Sequence, residues 1–296
     1  MTTIAALGAL ESGLIFALVA FGVFLSFRIL EFPDLTVDGS FPLGAAVSAS
    51  LIVTGTNPWL ATILAFFAGG MAGVVTAWLN VKLGILNLLA SILTMIALYS
   101  INLRIMGKPN IALLGETTAL TPIESWGLPS YISTPIAFAI VTLVVFILLA
   151  WFLNSEIGLA MRATGANVRM ARAQGINTQR MTILGMAISN GMVGLAGSLF
   201  AQSQGSADIT MGVGIIVIGL ASVIGGEAIL STRTMILALL ACIFGSILYR
   251  FAIALALNAD FIGLKAQDLN LVTAILVTLA IIAPNIKSSL NQRLSK

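Results

Sequence analysis

Histidine is absent from this sequence of 296 residues, and cysteine occurs once, at Cys242. Without histidine, His-based triads, zinc-hydrolase motifs and haem attachment are excluded. A single cysteine in an apolar run cannot form a disulfide within the chain. Charge is also scarce, with only 8% of residues Asp, Glu, Lys or Arg. The net charge of +3 is too small, and too divided between loops, for nucleic-acid binding. A P-loop needs Gly-Lys followed by Ser or Thr. The one Gly-Lys pair, Gly107-Lys108, runs into Pro109, so the chain cannot bind ATP in that way. No basic region precedes the first hydrophobic segment, where Arg28 is the first cation. That segment is therefore expected to stay as a span rather than be cleaved.

What fills the chain instead is apolar sequence, at 59% of residues, with a mean hydropathy of +1.08. A soluble domain of this size does not have that composition. The reading is a single transmembrane domain over 1–296, all-α, with about eight to ten membrane segments including short or broken helices. Polar breaks mark the segments at Ser12–Leu30, Phe41–Thr54, Trp59–Val81, Gly84–Leu103, Thr134–Leu153, Met181–Ala201, Ile209–Gly225, Thr234–Leu257 and Leu269–Ala283. The region from Arg104 to Ser130 reads as an ordered surface loop or a shallow helix.

The main polar interruption is Asn154 to Arg180, NSEIGLAMRATGANVRMARAQGINTQR. It carries Arg162, Arg169, Arg172 and Arg180 against one acid, Glu156. Its grammar predicts two short helices. Gly165 is expected to end the first, Asn167 to cap the second and Gly175 to stop it. Arg169 and Arg172 then share a face. Placing this loop in the cytoplasm also puts Arg28, Lys82, Arg233, Lys287, Arg293 and Lys296 inside. Only Arg104, Lys108, Arg250 and Lys265 fall outside, so the positive-inside rule favours this orientation. The N-terminus is then outside and the C-terminus inside, unless the short segment at Phe41 is re-entrant.

IGLAMRATGANVRMARAQGI resembles the cytoplasmic coupling segment of permeases from bacterial ABC importers, most closely the branched-chain amino acid and ribose permease superfamily. The matching positions are Gly158, Arg162, Ala163, Gly165, Asn167, Ala171, Gly175 and Ile176. NGMVGLAGSLFA from Asn190 and VIGLASVIGG from Val217 are also similar to that family. PDLTVDGS differs from its acid-poor amino acid version and its sugar version. It looks closer to a less-characterised branch linked to aromatic amino acids or other small solutes. The resemblance implies a multi-pass subunit of a bacterial inner membrane that forms a translocation pathway and has no catalytic residues of its own. It implies a homodimer with two ATP-binding subunits, which hold ATP and Mg, and an extracytoplasmic solute-binding protein. Gly158, Arg162, Gly165, Ala166, Asn167, Arg169, Arg172 and Gly175 would contact the ATPase.

Several polar residues are candidates for the pathway. Asp34 and Asp38 lie beside Pro33 and Gly39 in an expected break between helices; an acid inside a bilayer is costly and usually marks a pathway or a pair. Asp38 is expected to N-cap the helix that follows it, and Arg28 to pair with Glu31 or Asp34. Asn87, Ser91 and Thr94 share a helical face that either lines a cavity or bonds a neighbouring helix. Gln202, Gln204 and Asp208 lie near the expected outer mouth, as loop solvation or part of a gate. Gly69, Gly70 and Gly73, with Gly191, Gly194 and Gly197, offer small faces for close helix packing. Pro33-Asp-Leu-Thr-Val-Asp-Gly39 and Ala207-Asp-Ile-Thr-Met-Gly212 suggest an inverted repeat, 10–104 and 181–284. The alternatives are an ion-coupled secondary transporter, which needs acids in mid-span, and a membrane-embedded enzyme, for which no reactive cluster is visible.

Overall fold

The computed structural model describes residues 3–124, 129–230, 232–257 and 278. Among them are the helices α1 (Thr3–Val23), α2 (Val37–Val53), α3 (Pro58–Leu83), α4 (Asn87–Met106), α5 (Thr121–Glu124) and α6 (Ser130–Asn154). They continue as α7 (Glu156–Ala166), α8 (Val168–Ala173), α9 (Thr178–Gln204), α10 (Ile215–Ile229) and α11 (Met235–Leu257). Two short strands, β1 (Asn110–Ala112) and β2 (Ser206–Asp208), pair antiparallel. Among the described residues, six helices are long and apolar enough to cross a membrane, and α2 and α10 are shorter apolar helices. The expected segment Leu269–Ala283 lies outside the described residues, as does the end of the expected second repeat.

The chain folds around α9. Small residues let it approach two neighbours closely. Gly69 and Gly73 of α3 face the Asn190 and Met186 carbonyls of α9, and Gly194 of α9 faces Ala65. Gly44 of α2 abuts the Gly194 backbone, and Gly197 abuts Phe41. A Cβ at most of these positions would meet backbone, which cannot swing aside. These contacts are the small-residue packing expected of helices in lipid. On the other side α1 packs on α11, α6 and α9. Phe16, Phe41 and Phe200 fill the space between α1, α2 and α9, with ring centroids 5.6–5.9 Å apart.

The two ends of the molecule are distinct. At one end lie α7, α8, the end of α1 and the start of α4. At the other, β1 and β2 join the loop after α4 to the loop after α9. Ile209 N–H donates to the Pro109 carbonyl (3.0 Å) and Leu113 N–H to Gly205 (2.8 Å), extending that ribbon. Glu11 of α1 accepts from Ser203 near the end of α9. The N-terminal part of α1 therefore lies at the ribbon end, opposite the Arg-rich loop.

Two helices are broken. After Val23, α1 continues as a π-helical turn, Phe24–Ile29, in which Leu30 N–H reaches the Leu25 carbonyl (3.1 Å). The chain then reverses at Glu31, whose φ of 51° is the one positive value at a non-glycine among the described residues. Residues 30–36 climb back towards the middle of α9, and α2 starts there and runs to the ribbon end. The segment 209–214 mirrors this path from the ribbon end, and α10 runs on towards Arg28. Asp34 Oδ1 accepts from Thr36 N–H (2.9 Å) before α2. Asp208 Oδ1 accepts from Thr210 N–H (2.8 Å) before α10. The same Asp-x-Thr turn thus precedes both short helices.

Candidate functional site

Asp34 is buried, 1% exposed. Its Oδ2 accepts from the Asn190 amide of α9 (2.7 Å). The Asn190 amide oxygen accepts from Ser40 (2.7 Å). Thr36 and Thr76 share a hydroxyl bond of 2.7 Å that ties the same turn to α3. A buried carboxylate without such partners would be strongly unfavourable. Asp34 is therefore a structural pin at mid-depth, holding the break of α2 against α9 and α3.

Asp38 does something the sequence did not indicate. It was expected to cap its own helix, but Thr36 is the N-cap residue and makes no side-chain cap bond. The Asp38 carboxylate instead accepts from Ile216 N–H (2.8 Å) and Gly214 N–H (3.2 Å). It caps the start of α10, from a helix 178 residues earlier in the sequence. The first amides of a helix lack internal partners and favour an anion, so a carboxylate at mid-depth satisfies both sides. Pro42, one turn into α2, has no N–H for the Asp38 carbonyl, and Gly212 packs over that carbonyl.

The other candidates do not gather around this pair. Asn87 sits at the opposite end of α4 and accepts from Asn80 of α3 (2.6 Å). Ser91 and Thr94 are buried and bond carbonyls of their own helix, Leu88 and Ala90. Asn87 thus bonds the neighbouring helix α3, and Ser91 and Thr94 lie on the buried side of α4. Gln202 is not a solvating residue: it is 4% exposed. It donates to Thr62 (2.9 Å) and Ser198 (3.1 Å) and accepts from Ala119 N–H (2.8 Å), anchoring the loop to α9 and α3. Gln204 is exposed at the end of α9. Asp208 lies in β2, where Thr210 and Asn110 bond it. The hydroxyl and N–H of Thr210 hold its carboxyl below the usual carboxylate range. Arg28 pairs with Glu227 at the end of α10, not with Glu31 or Asp34.

The Arg-rich loop forms α7 and α8. Ser155 caps α7, accepting from Gly158 N–H (3.3 Å). Asn167 caps α8, accepting from Met170 N–H (3.0 Å), and Gly175 follows with φ 80°. Gly165 does not end α7, which runs on to Ala166. It is buried, and a Cβ there would fall on the Ile29 carbonyl and 3.1 Å from Leu30 Cα. Gly158, Met161, Thr164 and Gly165 form the buried stripe of α7. The stripe seats on the π-helical end of α1 and on α9, where Gly185 abuts Met161 and Leu30. The opposite face is open: Ile157 (50%), Leu159 (51%), Val168 (43%) and Met170 (59%) are exposed. Arg169, Arg172, Arg180 and Ala166 are exposed as well, while Arg162 is half-buried. Arg172 Nε donates to Thr178 (3.0 Å).

Asn190, Asn102 and Glu227 escaped notice as site residues. Asn102 and Asn190 are amides within apolar helices, which is a readable signal. Glu227 offers none, because its partner is 199 residues away.

Helices long enough to span, two half-helices meeting at mid-depth and a structured loop at one end define a membrane transport protein of permease type. The pattern of the family described as branched-chain amino acid transport system, permease component, matches residues 5–283, and the chain belongs to that family. It is 38% identical to the tyrosine transport system permease protein of Clostridioides difficile, over 98% of this chain and 95% of that protein. It is 24% identical to the ribose import permease protein RbsC of Escherichia coli, over 86% of this chain and 77% of that one. PsaBC from Streptococcus pneumoniae, solved in complex with a Fab, shares the fold at a TM-score of 0.54 and 14% identity, covering 92% of this chain.

Proposed function

We propose that the chain is the membrane subunit of an ATP-driven importer for a small solute, an amino acid or a related compound, working as a homodimer in the bacterial cytoplasmic membrane. Two separate ATPases and an extracytoplasmic binding protein complete the assembly. The tyrosine permease of C. difficile, matched along nearly its whole length, supports an amino acid as the solute.

The observation that carries the reading is the outer face of α7 and α8. It exposes Ile157, Leu159, Val168 and Met170 beside Arg169 and Arg172, on a base fixed to α1 and α9. Apolar residues and arginines together are what a protein interface enriches. A face of that kind on a loop seated against two spans is suited to transmit a push from a partner. Movement of α7 acts on Ile29 and Leu30, hence on the break before α2. Two inverted repeats, each with its Asp-x-Thr turn and half-helix, then supply the elements that rock.

The test is co-expression with the candidate ATPase and binding protein. ATPase retention on purification, and hydrolysis stimulated by the amino acid, are expected. Uptake by the purified chain in liposomes with no ATPase present would overturn the reading in favour of an ion-coupled transporter.

A further inference from the structure

A cavity of about 470 Å³ lies between α2, α4 and the segment 209–214, lined by Asp38, Met95, Ile96, Tyr99, Ser100 and Asn102 among others. It extends from mid-depth towards the ribbon end. Its volume suits one small organic molecule. The walls are mostly apolar and carry one aromatic ring, Tyr99.

Two of the polar groups that line it, Asp38 and Asn102, offer acceptors, and the Ser100 and Thr210 hydroxyls line it as well. The α10 amides that would attract an anion are already occupied by Asp38. A carboxylate accepts about four hydrogen bonds, so this one keeps acceptor capacity for another donor. Asn102 is 1% exposed, and its amide nitrogen faces the Gly39 carbonyl at 3.3 Å. A carbonyl can only accept, so this contact fixes which way the amide points. Asn102 Oδ1 is left buried with no hydrogen-bond partner among the described residues. A buried orphan acceptor is costly, and such groups call for an explanation.

We infer that this cavity is the solute-contact site, and that it takes a primary ammonium group at Asp38 and Asn102 Oδ1 with an aromatic side chain against Tyr99, Met95 and Ile96. The inference rests on the amino acid reading above and names the atoms that select within it. An ammonium has three donors and no acceptor, which matches the Asp38 carboxylate and Asn102 Oδ1. A carboxylate would meet Asp38 with like charge. The aromatic part fits the polarisable walls.

The experiment uses the full chain in lipid nanodiscs, titrated with L-tyrosine, tyramine and 3-(4-hydroxyphenyl)propionate. Tyramine keeps the ammonium and lacks the carboxylate; the propionate has the reverse. Tyrosine and tyramine are expected to bind, and the propionate at least tenfold more weakly. Asn102→Leu and Tyr99→Ala should each weaken tyramine binding tenfold or more. Asp38→Asn should do the same, and Asn102→Leu serves where loss of the α10 cap prevents folding. Equal or tighter binding of the propionate overturns the inference, as does wild-type affinity in both Asn102→Leu and Tyr99→Ala. So does an absence of tyramine binding to the wild-type chain. Tyrosine uptake by cells carrying the complete system separates the two levels. Uptake with an unchanged KM in Asn102→Leu and Tyr99→Ala removes this site but leaves the importer. Uptake that needs no ATPase removes the importer instead.

Discussion

Replacing Gly165 with valine should unseat α7 from the membrane domain. The position is inside the helix, so backbone conformation is not at issue. Space is: the added Cβ would fall on the Ile29 carbonyl and lie 3.1 Å from Leu30 Cα. Both are backbone atoms at the π-helical end of α1, which cannot swing aside as a side chain can. Overpacking of this kind costs about 1–3 kcal/mol. If α7 exists in seated and unseated forms, that is roughly a 5- to 150-fold shift towards the unseated form. Alanine should sit at the low end and valine at or above the high end. Ala166→Val, one residue on and exposed, is the control. The assay is limited proteolysis of the α7–α8 connection in detergent, read beside thermal unfolding of the whole chain. Faster cleavage in the order valine, alanine, wild type is expected, with the control unchanged. Wild-type cleavage in Gly165→Val would refute the argument, because the glycine would then not be required by the contact. Transport should fall along with the seat. A selective loss of coupling over an intact membrane fold is not expected, since the clash lies within the chain.

Other outcomes follow from the same contacts. Asn190→Ala leaves Asp34 Oδ2 and the Ser40 hydroxyl without their buried partner, while Thr36 N–H still bonds Asp34 Oδ1, and should cost about 3 kcal/mol, visible as a lower unfolding midpoint. Glu227→Gln removes the partner of a half-exposed Arg28, so the loss should be about 1 kcal/mol or less, and smaller still in high salt. Glu31→Gly should be neutral or stabilising by up to about 1 kcal/mol, because glycine adopts the left-handed conformation without strain. Asp208 is held below the ordinary carboxylate range by Thr210 and so contributes stability above its unfolded pKa. That contribution is lost only as pH falls through the lowered folded value. Thr210→Val should move the acid loss of the ribbon to higher pH, measured by NMR titration of the Asp208 carboxyl.

The spans were legible because the membrane requires long apolar runs, and every expected segment within the described residues holds a helix. Local capping was legible too: Asn167 and Gly175 carry their roles in their own few residues. The misread residues share a different feature, which is that their partners are remote. Asp38 looked like a cap for α2 because N-caps are recognised by adjacency, yet its partner amides belong to α10. Gly165 looked like a helix end because glycine often is one, and nothing nearby in sequence announces Ile29. Arg28 was assigned to the nearest acids, while Glu227 lies on another helix. The repeated Asp-x-Thr signal was the readable clue that the two half-helices adopt matching turns.

The bond from Asp38 to Ile216 has a consequence for biogenesis. The ribosome makes Asp38 178 residues before its partner amide exists. At about 5–20 residues per second, that delay is on the order of ten to forty seconds. During that time α2 can enter the membrane region, but its carboxylate has only water, lipid headgroups or the insertion machinery to face. The first half of the protein thus waits in an unfinished state that the arrival of α10 completes. A nascent chain truncated before Gly214 should be cleared by quality control far faster than one that extends beyond α10. If synthesised in the same cell as two pieces divided after α8, the halves should rescue one another, because the amides that complete the first half all lie in the second.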